Sequence, residues 1–259
     1  MKKEILMNWI DLSRENLIHN IEVIRSFCGR KTALSALLKA NAYGHGIEPM
    51  AELFAKAGID CFSVHSFDEA LRVKATGFGK RIILIGPQTE EQLKMSIQKG
   101  FEFIVYTFES LEWLKRFSKT CKKPVKIHVK IETGTYRQGV PIRDLLFFIQ
   151  GLKHIRNLRL KGISSHFANI EDTSDTTYYK HQMDLFNQAH ALFIREGLVP
   201  EERHIACSAA VLLYPETLLE RARPGIALYG YLSSPELSFA LKLPKPLKPV
   251  LSWKTRIAQ

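Results

Sequence analysis

The chain has 259 residues, 46% of them hydrophobic and 24% charged, with a formal net charge of +11. This length suits one large α/β barrel of about 250 residues, and the composition excludes a disordered or fibrous chain. The longest apolar runs, such as LLFFI at 145–149, are too short to cross a bilayer, and the scattered basic residues argue against a nucleic-acid surface, leaving a mild attraction for anionic ligands.

In chain order, MKKEILMNWI starts basic, but Asn8 breaks its apolar stretch and Asp11 closes it, too short for a secretory signal; a cytoplasmic location is expected. An amphipathic helix follows over roughly 13–27, with Leu17, Ile21 and Ile24 on one face. Strands are predicted at ALSALLK (33–39), CFSV (61–64), RIILI (81–85), FEFIVY (101–106), VKIHVKI (125–131), LRLKGISS (158–165), RHIACS (203–208) and GIALYG (225–230). Helical patterns lie between them, among them FDEALRVKATG, TEEQLKMSIQKG and YYKHQMDLFNQAHALFIREG. Eight such alternations predict an α/β fold, a (β/α)₈ TIM-type barrel over residues 1–240. Past it, LKLPKPLKPV reads as a linker, and LSWKTRIAQ alternates Leu251, Trp253, Thr255 and Ile257 like one more strand with no visible partner. Residues 241–259 are therefore expected to be a linker and the first strand of an incomplete C-terminal β domain, in a partial chain. Cys28, Cys61, Cys121 and Cys207 lie too far apart for a zinc or dithiol site, so no metal is expected.

Active sites of such barrels sit at the C-terminal ends of the strands. Period-two alternation in the first strand puts Leu34, Ala36 and Leu38 on one face and Ser35, Leu37 and Lys39 on the other. If the first face packs on helices, Lys39 points into the barrel mouth, where a partly desolvated lysine supplies the neutral amine that attacks an aldehyde; the alternative is a lysine reaching for solvent. In the fifth strand Lys126, His128, Lys130 and Glu132 alternate with Val125, Ile127, Val129 and Ile131, so the polar set faces the interior if helices cover the apolar one. Arg137 follows in a glycine-flanked loop. Gly162, Ser164 and His166 share one face of the sixth strand, with a satisfied structural histidine as the alternative for His166. The loops after the seventh and eighth strands, CSAA and RPGIALYG, offer the Ser208 hydroxyl, close backbone approach at Gly225 and the charge of Arg223, as phosphate-binding loops do. A Cys207–His nucleophile pair lacks an orienting third group, which favours a packed thiol. A lysine, a phosphate pocket and ring-contacting groups in one mouth are what pyridoxal phosphate (PLP) requires.

The motifs LLKANAYGHG (37–46), KIETGTYRQG (130–139), SHFANIED (165–172), CSAA (207–210) and ARPGIALYG (222–230) resemble those of alanine racemases, in order along nearly the whole chain. The resemblance implies a PLP-dependent isomerase that interconverts L- and D-alanine for the peptidoglycan of the cell wall, as a homodimer. It implies that Lys39 forms the internal aldimine and acts as one base, and that Tyr43, Ser208, Gly225, Ile226 and Tyr229 meet the phosphate and the cofactor wall. His166 would pack beside the ring, Arg137 would contact the phenolic oxygen and the substrate side of the site, and Arg223 would bond the ring nitrogen. In some members the position of Lys130 carries a carbamate that holds this arginine.

Racemisation needs acid–base groups on both faces of the substrate. In the family the second is a tyrosine from the partner subunit's C-terminal domain, and this chain alone is expected to bind PLP but to racemise poorly. Thr135 and Tyr136 depart from the usual small pair before the arginine, Tyr136 being bulky enough to alter its placement, and Cys207 stands where asparagine is common. The competing reading is a non-enzymatic, single-barrel PLP-binding or PLP-homeostasis protein.

Overall fold

The structure is a computed structural model, and it describes residues 7–241 and 243–257. Its centre is a ring of parallel strands. After β1 (Asn8–Leu12) and α1 (Arg14–Cys28), one barrel strand runs as β2 (Ala33–Leu34) and β3 (Ala36–Leu37), interrupted at Ser35. A short helical turn, α2 (Lys39–Tyr43), and α3 (Ile47–Lys56) lead to β4 (Cys61–Val64), α4 (Phe67–Ala75), β5 (Arg81–Leu84), α5 (Glu90–Lys99), β6 (Glu102–Val105) and α6 (Phe108–Ser118). Then come β7 (Val125–Glu132), the short β8 (Val140–Pro141), α7 (Ile142–Leu152), β9 (Leu158–Ser164), α8 (Thr177–Arg195), β10 (Glu202–His204), α9 (Ser208–Leu213) and β11 (Arg221–Ala222). Strands β3 to β7, β9 and β10 pair in parallel in that order. The ring closes where β11 pairs in parallel with β2 and the Arg223 N–H donates to the Ala206 carbonyl at 2.9 Å. The α/β, TIM-type barrel expected from the alternation is the observed fold, and among the described residues no helix is long and apolar enough to cross a membrane.

Local chemistry explains the helix starts. Ser13 caps α1, while Ser66 with Glu69 and Thr89 with Gln92 form reciprocal capping boxes at α4 and α5. The outer core lies between strands and helices: Leu34, Ala36, Leu38, Val125, Ile127, Val129 and Ile131 are buried with Leu17 and Ile24 of α1 and Phe54 of α3. Phe54 meets Phe62 at 6.2 Å and Tyr229 at 5.7 Å between ring centroids. Phe54→Ala is expected to lower the unfolding free energy by about 3–5 kcal/mol, read from the shift of a urea or guanidinium midpoint.

Inside the barrel the foot is polar where branched apolar side chains usually fill it. Arg81 bonds both Glu102 (Nε–Oε1 3.0 Å) and Glu202 (Nη1–Oε2 2.9 Å), and Arg221 bonds Glu202 at 2.8 Å. Burial alone would raise the Glu102 carboxyl, but His128 and Arg81 overcome it and bring it down to about 2. A depressed carboxyl contributes stability that is present above its unfolded pKa, about 4.3, and is lost as pH falls towards 2. Glu102→Gln is therefore expected to flatten the acid limb of a stability-versus-pH curve in that window.

Three features depart from expectation. GIALYG is not a strand: Ile226–Tyr229 is a 3-10 turn, closed by the Leu228 N–H on the Gly225 carbonyl at 2.9 Å, and the eighth strand is the preceding Arg221–Ala222. Pro224 has no N–H to continue a ladder, so the strand stops before it despite the apolar run beyond. The tail strand does have a partner. It is β12 (Leu251–Thr255), paired antiparallel with β1, a segment that the sequence reading leaves unassigned between an N-terminal run and a helix. Asn16 and Asn20 of α1 anchor the intervening linker by donating to the Pro249 and Lys248 carbonyls, each at 2.8 Å. Finally, Ala40, Asn41, Ala42 and Tyr43 all have φ between 53° and 55°, a left-handed turn without glycine.

Candidate active site

That left-handed turn organises the mouth of the barrel. Such a conformation costs roughly 1–2 kcal/mol per non-glycine residue, so neighbouring contacts must hold it. Asn41 does much of this: its Oδ1 accepts from the Ile47 N–H at 3.2 Å and from Arg72 at 2.9 Å, and its carbonyl accepts from the Gly46 N–H at 3.0 Å. The turn reverses the chain, so Lys39 and Tyr43 both line one cavity of about 290 Å³, with the Lys39 amine 5.8 Å from the Tyr43 ring centroid.

The alternation argument for the strands holds. Leu34, Ala36 and Leu38 sit in the outer core, while Leu37 and Lys39 face the cavity and the Ser35 hydroxyl meets that of Ser63 at 2.8 Å. Lys130, Arg137, His166, Ser208, Arg223, Gly225 and Ile226 also line the cavity. Tyr229 does not. It lies fully buried behind Tyr43, ring centroids 5.0 Å apart, and donates its hydroxyl to the Leu37 carbonyl at 2.7 Å. Tyr136 takes a left-handed φ of 51° and is 87% exposed, so its bulk turns outward while Arg137 turns in. The Thr135 hydroxyl ties this loop to the His166 carbonyl at 2.7 Å, and Tyr178 donates to the Gly134 carbonyl at 2.7 Å.

At the wall formed by α9 and the 3-10 turn, the Ser208 hydroxyl collects the N–H groups of Gly225 (2.9 Å) and Ala227 (3.3 Å). A Cβ on Gly225 would overlap the Tyr43 hydroxyl and sit 3.0 Å from its Cζ, so the absence of a side chain is what admits the phenol. Among the lining groups that sequence reasoning missed are Ser164 and Glu171. The first sat on the face assigned to His166 and the second in SHFANIED, but neither residue type is diagnostic by itself. The Ser164 hydroxyl is buried and has no hydrogen-bond partner among the described residues.

Four cationic side chains, Lys39, Lys130, Arg137 and Arg223, face the cavity against one acid, Glu171. Burial, then the charge of Arg137, pulls the Lys39 amine below the ordinary lysine range, with Glu69 opposing. Burial, then Arg223 and Arg137, holds Lys130 well below it. His166 is kept neutral by burial and by Lys130, Arg223 and Arg137. Burial brings Arg223 down to about 10 and pushes the Tyr43 phenol up to about 12. The mouth thus offers an amine that can lose its proton, two fixed guanidinium charges and a wall of small donors. Such groups can hold an anion by charge and attack a carbonyl carbon through the neutral amine.

Residues 12–233 match the family described as alanine racemase, N-terminal domain. The alanine racemase of Clostridium tetani is 32% identical over 259 residues, covering 99% of this chain and 65% of that protein. That of Leptospira interrogans is 33% identical, covering 98% and 66%. The chain thus spans just under two thirds of the length of these curated relatives. Among solved structures, the Clostridium difficile alanine racemase complex with cycloserine superposes with a TM-score of 0.91 at 25% identity, covering 99% of this chain and 70% of that one. The histidine racemase of Leuconostoc mesenteroides superposes at 0.88 and 26%, covering 99% and 67%. With the barrel, the lysine at its mouth and the family match running together from residue 12 to residue 233, the chain belongs to the alanine racemase N-terminal domain family.

Proposed function

We propose that this chain is the cofactor-binding barrel of a pyridoxal phosphate-dependent amino-acid racemase that acts on alanine. The observation that carries the reading is Lys39, an amine of lowered basicity in a cavity that Arg137 and Arg223 also line, beside Ser208 and the Gly225–Ile226 segment. The residues suit the cofactor. Ser208, Tyr43 and the Gly225–Ile226 backbone fit its phosphate, and Gly225 leaves the room that a Cβ would take. Tyr229 serves from behind, by buttressing Tyr43. The neutral His166 fits the flank of the ring, Arg223 the ring nitrogen and Arg137 the phenolic oxygen, with Lys130 beside them; carbamylated, Lys130 would turn from a competing cation into a partner for Arg137.

When bound, pyridoxal phosphate supplies an electron-withdrawing ring that makes the substrate's Cα proton removable. Lys39 would hold the cofactor, and its amine, freed when the substrate's amine takes its place, would take or return that proton on one face. Arg223 stays charged at neutral pH and can only donate, so a ring nitrogen opposite it stays largely unprotonated, which tempers the electron withdrawal and discourages side reactions. The opposing acid–base group comes from the C-terminal domain of a second copy, in a cytoplasmic homodimer that supplies D-alanine for peptidoglycan. The test is the absorbance spectrum of the purified chain with pyridoxal phosphate before and after borohydride, with the modified peptide mapped by mass spectrometry. A visible band trapped on Lys39 is expected; a folded protein that attaches no cofactor overturns the reading.

A second reading keeps barrel and cofactor but changes the substrate side chain. The likeness to a histidine racemase and the unpartnered Ser164 hydroxyl support it. Cα-proton exchange into deuterium oxide across a panel of amino acids separates the two.

A further inference from the structure

A single file of polar groups runs down the barrel axis beneath the cavity. Arg223 donates through Nη1 to the His204 carbonyl (2.9 Å) and to His204 Nδ1, and through Nη2 to the Ser165 carbonyl at 2.6 Å. His204 Nε2 meets His128 Nδ1 at 2.8 Å, and His128 Nε2 meets Glu102 Oε2 at 3.0 Å. Arg81 then clamps Glu102 at the foot of the barrel. His128 and His204 are fully buried, and Glu102 and Arg223 nearly so.

The proton positions follow from donor rules. A guanidinium only donates, so His204 Nδ1 accepts. Burial and the neighbouring Arg223 keep the His204 ring neutral, so its one proton lies on Nε2 and is donated to His128. The Nδ1 of His128 accepts it, and His128 Nε2–H is left to donate to Glu102. Every bond in the file thus points the same way, from Arg223 to the carboxylate.

The backbone is shaped around this file. The β7–β9 register slips between Ile127, opposite Leu160, and His128, opposite Gly162; the extra residue, Lys161, is on β9, and the bulge sets Gly162 against His128. A Cβ on Gly162 would lie 2.6 Å from His128 Nδ1, so only glycine lets the strand pass. The nearby trio His128, Glu202 and His204 has the donor types of a metal site. Each of its ligand atoms already faces a hydrogen-bond partner, however, and Arg81, Arg221 and Arg223 surround it, which disfavours a cation.

We propose that Glu102 and His128 are positioning residues for Arg223, acting through His204 so that the guanidinium is aimed at the ring nitrogen of a ligand bound above it. The inference rests on the cofactor reading only for the identity of that nitrogen. A carboxylate two rings away polarises the file, strengthens His204 as an acceptor and fixes which Arg223 N–H groups remain for the cavity.

The test uses nitrogen NMR in two stages. In the chain without cofactor, the histidine ring signals are expected to show His204 neutral with its proton on Nε2 and Nδ1 accepting. His128→Leu should change that signature, while His128→Gln, which keeps an acceptor and a donor, should largely preserve it. With ¹⁵N-labelled pyridoxal phosphate, the ring-nitrogen signal is expected to move in His128→Leu and Glu102→Gln and to return towards wild type in His128→Gln. Should a leucine variant fail to fold, Gly162→Ala displaces the same ring, and the wild-type His204 tautomer alone still decides the direction of the file. A protonated His204, or its proton on Nδ1, overturns the proposal. So does an unmoved ring-nitrogen signal in folded, loaded variants. If the labelled cofactor does not bind but the His204 signature behaves as stated, the cofactor reading fails and the positioning of Arg223 stands.

Discussion

Lys39→Ala is expected to abolish borohydride-trappable attachment of pyridoxal phosphate completely, with the circular dichroism of the barrel unchanged. The lysine is half-buried at the cavity wall and makes no side-chain hydrogen bond among the described residues, so truncating it removes chemistry and little packing. The same residue carries a pH signature. Only the neutral amine attacks an aldehyde, and burial foremost, then Arg137, lowers the Lys39 pKa from its ordinary 10.5. The attachment rate should therefore rise with pH and level off below the ordinary lysine value, because deprotonation is complete earlier. Stopped-flow growth of the visible band from neutral to alkaline pH measures this. A midpoint at or above that of free lysine would contradict the electrostatic argument even if the covalent bond forms.

The second large effect is expected at Gly225. Its Cβ would collide with the Tyr43 hydroxyl, and Tyr43 has little freedom to retreat, being held at a φ of 53° in the left-handed turn with the Tyr229 ring behind it. Gly225→Val should displace the phenol and narrow the phosphate wall. A loss of roughly tenfold or more in pyridoxal phosphate affinity is expected by fluorescence titration, about 1.4 kcal/mol. Coupling tells this clash from general damage. In a Tyr43→Phe background the hydroxyl is gone, and Gly225→Ala should then cost much less than it does beside Tyr43.

The barrel was legible in the sequence because buried parallel strands and amphipathic helices have distinct periods. VKIHVKIE is the clearest instance: its alternation assigned Lys130 and His128 to the interior, where both lie. What escaped did so for physical reasons. A left-handed turn made of Ala-Asn-Ala-Tyr has no glycine to announce it, because much of its support comes from Glu69 and Arg72, 28 and 31 residues beyond Asn41, together with the nearby Ile47 N–H. GIALYG has the composition of a strand, yet a proline ahead of it ends the ladder. Residues 8–12 alternate too briefly to suggest a strand whose partner lies some 240 residues away. The polar file below the mouth was half visible: His128 was assigned inward, but pairing it with Glu102, His204 and Arg223 requires knowing which strands stand side by side.

The closing of the ring also dictates when the molecule can be finished during its own synthesis. The β2 edge waits for β11, and β1 waits for β12, so the first barrel strand and the N-terminal strand are made long before either has anything to pair with. At about 5–20 residues per second, residue 222 follows residue 34 off the ribosome by roughly 10–40 s. Throughout that interval the nascent chain carries an open sheet edge and the uncovered apolar face of α1, the two surfaces most prone to pair with another chain. The yield of soluble protein should accordingly depend on translation rate and on chaperone supply more than on the equilibrium stability of the finished barrel.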